Sequence, residues 1–152
     1  MYKILCVGKI KEKFLTEGIL EYKKRIDGYS KIEIVEVKEY NTSDVSKNIE
    51  NEGMELLNKI NKDDYVITLE ILGKKLDSIS FSKQIENIMN YYSSKIVFVI
   101  GGSNGLSESV KNRSNFKLSF SDMTFPHQLM RLILIEQIYR ALTIINNKEY
   151  HK

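Results

Sequence analysis

Only two side chains in this sequence, His127 and His151, titrate ordinarily between about pH 5 and 8. Each has neighbours that could act on an anion or a flat ring. His127 ends the segment FSDMTFPH, and His151 lies between Tyr150 and Lys152 in the last three residues. Arg131 and Arg140 interrupt the apolar run QLMRLILIEQIYRAL. An imidazole can move a proton, and a tyrosine can stack on a base. A guanidinium in apolar surroundings needs an anion, either Glu136 or another carboxylate, or a bound ligand. His127 falls in the first turn of a predicted helix, where the helix dipole disfavours its cation. A neutral hydrogen-bonding role is therefore as open to it as a catalytic one. Cys6 and two separated histidines offer no metal-ligand spacing, so no metal is expected. No Ser-His-Asp arrangement can be read either.

Two loops could bring a ligand to these groups. GGSNG, Gly101 to Gly105, follows the apolar run IVFVI. It is not the G-x-x-x-x-G-K-[ST] of a phosphate loop, nor a G-x-G-x-x-G after a first strand, so ATP, GTP and NAD are poorly supported. A tight turn with φ > 0 would account for glycines here. Alternatively, Gly101 and Gly102 let a ligand approach the backbone. In FSDMTFPH, Pro126 suits a first helical turn and Thr124 or Phe125 a cap. That leaves Met123 and Phe125 on an exposed connection, where an apolar pocket for a flat ring would explain them.

The elements that must position these loops alternate regularly. Apolar, β-branched runs predict strands at 2–7, 32–37, 65–71, 96–100 and 116–120. Helical spacing predicts helices over about 11–27, 49–60, 79–92 and 107–113, and a last one from near Pro126. The pattern argues an α/β fold, a parallel-type sheet with helices on both faces, whose ligands bind at the carboxyl ends of strands. The 152 residues fit a single domain, 1–152, with no repeat and no linker. The last helix is apolar in nearly every direction, from Leu129 to Ile145. Either it is central to the domain or it also packs on a second subunit. A chain this small has few layers, which favours a homodimer.

No apolar run reaches the roughly 18 residues of a membrane span, and the start lacks a signal-peptide pattern. A cytoplasmic protein with no membrane partner is expected. A net charge of +3 and a pI near 8.8 permit an anionic partner without demanding one.

LCVGKIKEKF, EYKKRI, VITLEILGK, VFVIGGSNGL, LSFSDMTFPHQLMR, IEQIYRA and the closing YHK together resemble the ribosomal RNA large subunit methyltransferase H family of the SPOUT superfamily. The resemblance runs nearly end to end and is most specific in the last third. The loop from Asn41 to Ser46 is short beside many members. The resemblance implies a carboxyl-terminal trefoil knot, S-adenosyl-L-methionine as methyl donor, and a homodimer. It implies methylation of N3 of pseudouridine 1915 in 23S ribosomal RNA of the assembled ribosome, with no DNA partner. Carried over by motif, the donor pocket falls on Leu69, Gly101, Phe120, Ser121, Asp122, Met123, Thr124 and Phe125. His127, Arg140, Tyr150 and His151 are the expected catalytic groups, with the tail closing over the target base. Alternatives are a SPOUT enzyme with another RNA target, a non-catalytic ribosome-binding factor on the same scaffold, and a flavodoxin-like binding module.

Overall fold

A computed structural model describes residues 1–152. Five strands form one sheet: β1 (Tyr2–Val7), β2 (Ile32–Val37), β3 (Tyr65–Lys75), β4 (Ile96–Ile100) and β5 (Phe116–Ser119). Their order is β2-β1-β4-β3-β5 and every neighbouring pair is parallel. β1 and β4, in the interior of the sheet, are buried on both faces and, Lys3 apart, apolar, as strands covered on both sides are.

Five helices cover the two faces: α1 (Lys13–Ile26), α2 (Val45–Leu57), α3 (Ser78–Tyr91), α4 (Glu108–Arg113) and α5 (His127–Ile145). α1, α5 and α3 form one layer over Ile4, Cys6, Ile67 and Phe98. α2 and α4 close the other face over Leu5, Val7, Val97 and Val99. The expected α/β architecture with helices on both faces is what the chain adopts.

α5 lies between α1 and α3, and none of its residues is fully exposed. Met130, Leu134, Ile135, Ile138, Ala141 and Leu142 are buried within the chain. Its central place in a three-helix layer covers much of its apolar circumference, while Leu129, Leu132 and Ile133 stay half-buried.

β3 differs most from expectation. It does not stop before Gly73 but continues to Lys75, because its pairing with β5 slips. Leu69 and Lys74 both pair with Leu118, so residues 70–73 are pushed out of the ladder. Leu72, at the tip of that bulge, is 98% exposed. No helix is long and apolar enough to cross a membrane.

Candidate functional site

The carboxyl ends of β4, β3 and β5, neighbours in the sheet, open into one cleft of about 810 Å3. The bulge within β3 supplies Leu69 to Leu72, the glycine loop supplies Gly101 to Leu106, and the segment after β5 supplies Phe120, Ser121 and Met123 to Pro126. His127 and Met130, at the start of α5, complete one wall. The sequence-predicted residues Leu69, Gly101, Phe120, Ser121, Met123, Thr124 and Phe125 thus meet in one place. Asp122 is not among the lining residues. Its side chain is 82% exposed and pairs with Lys75.

The glycine loop turns tightly: the Gly105 N–H donates to the Gly102 carbonyl at 3.1 Å. The left-handed backbone conformation falls at Gly105, with φ of 90°. Gly101 is bare for a different reason. A Cβ there would sit 2.9 Å from the Gly105 carbonyl carbon. The loop's own closure, more than an approaching ligand, crowds that position.

The segment between β5 and α5 is not held by a cap. Pro126 itself takes the N-cap position and no side chain caps the helix. The expectation that Thr124 serves as a hydroxyl cap fails, because Pro126 places the helix start one residue later. Thr124 is exposed on the cleft wall instead. Met123 is 73% exposed there, while Phe125 packs partly on the main core.

Burial, and then the nearby Arg131 cation, push the His127 imidazole below its ordinary pKa. Burial and that cation, more than the helix position, are what disfavour the His127 cation. Arg131 is 1% exposed. It donates to Glu36 Oε2 at 2.6 Å and to the Val7 and Gly8 carbonyls at 2.8 Å each, locking α5 to the end of β1. Its partner is a carboxylate 95 residues away in sequence.

His151, Tyr150 and Arg140 do not line the cleft. They gather on the outer side of α5, and His151 borders a second hollow of about 470 Å3. The two hollows share Leu118, Ser119 and Phe120 as a wall. Glu136 organises the cluster. It accepts from Arg140 Nη2 at 2.6 Å and from the Tyr150 hydroxyl at 3.0 Å. Arg140 lies 4.7 Å from the Tyr150 ring centre, and the Tyr139 ring packs edge-on against the same ring. Burial, then the hydrogen bonds with Tyr22 and Glu136, hold the Tyr150 hydroxyl well above the usual phenol range. Arg140 Nη1 is 3.2 Å from His151 Nδ1. A guanidinium only donates, so Nδ1 accepts and the neutral His151 ring carries its proton on Nε2.

A cleft at the strand ends was expected from sequence; Glu70, Leu72 and Lys111, which also line it, were not. Nothing in their local pattern sets them apart.

A family description, "Predicted SPOUT methyltransferase", matches residues 1–151. The ribosomal RNA large subunit methyltransferase H of Fusobacterium nucleatum is 50% identical, over 98% of this chain and 97% of its own. That of Enterococcus faecalis is 48% identical, over 99% and 98%. The chain belongs to the ribosomal RNA large subunit methyltransferase H family of SPOUT methyltransferases. A crystal structure of a probable methyltransferase from Bordetella pertussis Tohama I has a TM-score of 0.58 at 10% identity, covering 93% of this chain and 95% of that one. At that identity the likeness bears on the SPOUT-type fold alone.

Proposed function

We propose that this chain methylates N3 of pseudouridine 1915 in 23S ribosomal RNA of the assembled ribosome, with S-adenosyl-L-methionine as donor. The observation that carries the reading is the convergence of three strand-end loops on one cleft, in a chain of this family. The lining suits such a donor. Leu69, Met123 and Phe125 offer apolar surface for an adenine, and the exposed Leu72 and Met123 have surface a ligand would cover. The backbone of Gly101 and of Phe120 to Phe125 offers hydrogen bonds to its edge. When bound there, the donor supplies a methyl group already activated on a sulfonium.

The chain's own residues then have positioning and proton tasks. Fixing two reactants in line can contribute roughly 7–11 kcal/mol to rate. His127, neutral and on the cleft wall, can accept the imide proton of the base. Charge left on the ring spreads to its carbonyl oxygens, where an N–H donor lowers the barrier. His151 Nε2–H, fixed through Arg140, is such a donor, and Tyr150 offers an aromatic face. Because the tail of one chain borders the second hollow and not the cleft, this reading gives it to the cleft of a second copy in a homodimer. Half-buried Leu129, Leu132 and Ile133 of α5 and the exposed Phe14 of α1 are apolar surface such a partner would cover. The reading includes a trefoil knot formed by the three loops that line the cleft.

The test is mass analysis of 23S RNA from ribosomes lacking the modification, after incubation with the purified chain and S-adenosylmethionine. One added methyl on the fragment holding pseudouridine 1915 is expected. A methyl elsewhere, none at all, or methylation of free RNA but not of ribosomes would refute it.

A further inference from the structure

Glu70 stands on the wall of the cleft with no counter-cation. Along β3, Leu69 packs toward the layer of α5 while Thr68 and Glu70 point to the opposite face. The buried Thr68 hydroxyl lies 2.6 Å from Glu70 Oε2 and fixes the carboxylate. Of the lysines only Lys111 lines the cleft, and Lys117, the cross-strand neighbour of Thr68, is exposed to solvent. Lys111, on the same wall, is 3.8 Å from Glu108, and Lys75 pairs with Asp122. Apolar Leu69, Ile100, Leu106 and Met123 and polar Ser103, Asn104 and Ser121 line the same space. A fixed carboxylate with no cation paired to it favours a cation that enters beside it.

We infer that Glu70 is a specificity-determining residue, holding the sulfonium of the methyl donor and rejecting the neutral product. This rests on the donor assignment above. β3 is the middle strand of the three that line the cleft, β4-β3-β5, so its bulge, which carries Glu70, faces the middle of a ligand spanning them. In S-adenosylmethionine that middle is the sulfonium, between the adenosine and the amino acid. Transfer forms the bond between N3 and the methyl carbon, breaks the methyl carbon–sulfur bond and returns that electron pair to sulfur. The imide proton goes to His127, and the donor becomes a neutral thioether. The attraction of Glu70 therefore acts on the donor and is absent from S-adenosylhomocysteine, which favours exchange of product for donor. The ammonium of both molecules' amino-acid end feels Glu70 equally and does not contribute to the difference.

The experiment is calorimetric titration of the full chain and its Glu70→Gln variant with S-adenosylmethionine, S-adenosylhomocysteine and sinefungin, which has a carbon in place of the sulfur and an ammonium in place of the methyl. Glutamine retains an acceptor for Thr68, so the melting midpoint is the check on folding. The variant is expected to lose about tenfold in affinity for both cationic ligands, and less than about twofold for the homocysteine product. Glu70→Asp, which keeps the charge, is expected to keep most of the donor-to-product ratio, and it serves should the glutamine variant not fold. Equal loss for all three ligands would place Glu70 against a part they share and overturn the inference, as would no loss. A ratio that disappears in Glu70→Asp would also overturn it. Failure of the unaltered chain to bind any of the three would instead overturn the donor assignment, and this inference with it.

Discussion

Replacing Arg131 with leucine removes the tie between the last helix and the end of the first strand. The side chain is 1% exposed and makes three hydrogen bonds, to Glu36 and to the Val7 and Gly8 carbonyls. Its loss leaves a carboxylate and two carbonyl oxygens without that donor. Breaking a buried ion pair from one side costs about 3–5 kcal/mol. The Glu36 side chain is 34% exposed, so water can reach it, and a cost near the lower bound, about 3 kcal/mol, is expected. Relief of the unpartnered buried Nε offsets part of the loss. For a domain of this size each kcal/mol moves the melting midpoint by roughly 2–4 °C, so Arg131→Leu should melt about 6–12 °C lower. Denaturant unfolding at unchanged m measures the same quantity. The pair can be isolated by a double-mutant cycle, in which Glu36→Gln added to Arg131→Leu should cost little more. His127 gives an independent readout. Its pKa is held low by burial and by Arg131. Its contribution to stability is complete above its ordinary value, about 6.5, and is lost as pH falls through the depressed folded value. Without Arg131 the His127 pKa should rise in an NMR titration and the acid loss should shrink. A melting midpoint within about 1 °C of the unaltered chain, or an unmoved His127, would refute the reasoning.

Two further perturbations act on the loops and the tail. Gly101→Ala would put a Cβ 2.9 Å from the Gly105 carbonyl carbon. The loop must open, so calorimetry should show donor affinity reduced more than about tenfold while the melting midpoint falls less than in Arg131→Leu; undiminished affinity would count against the cleft as the donor site. A chain ended after Asn147 loses the Tyr150–Glu136 and Arg140–His151 contacts. It should bind donor yet fail to methylate ribosomes, and normal methylation would remove the tail from the mechanism.

The elements were legible because local composition decides them. The boundaries of β1, β2 and β4 follow apolar, β-branched runs that end at glycine or polar residues. α5 could be recognised as a buried helix from its apolar circumference, but not from that alone as the centre of a three-helix layer. Whether a neighbouring helix or another chain covers a side chain depends on packing that a single helix does not encode. The cleft was legible in the same partial way. Met123 and Phe125 stood out because apolar residues on a connection need covering, and they do line the cleft.

The charged groups escaped for a deeper reason. Arg131 and Glu36 are far apart in the chain, and a buried guanidinium announces that it needs an anion without saying which one. Glu70 announces nothing. In VITLEILGK it reads as an ordinary polar residue ending a strand, and only the slipped pairing between Leu69 and Lys74 shows that the chain leaves the sheet there. Its distinguishing property is negative: no cation pairs with it, and Lys111, the lysine of the cleft wall, is 3.8 Å from Glu108. Such a property belongs to the assembled cleft, because it depends on how α4 and the bulge of β3 are packed together. A pattern search reports residues that are suited to a task. A carboxylate left without a cation is found only after the neighbouring charges have been placed, and it is that imbalance which gives the cleft a preference between two ligands differing by one methyl and one charge.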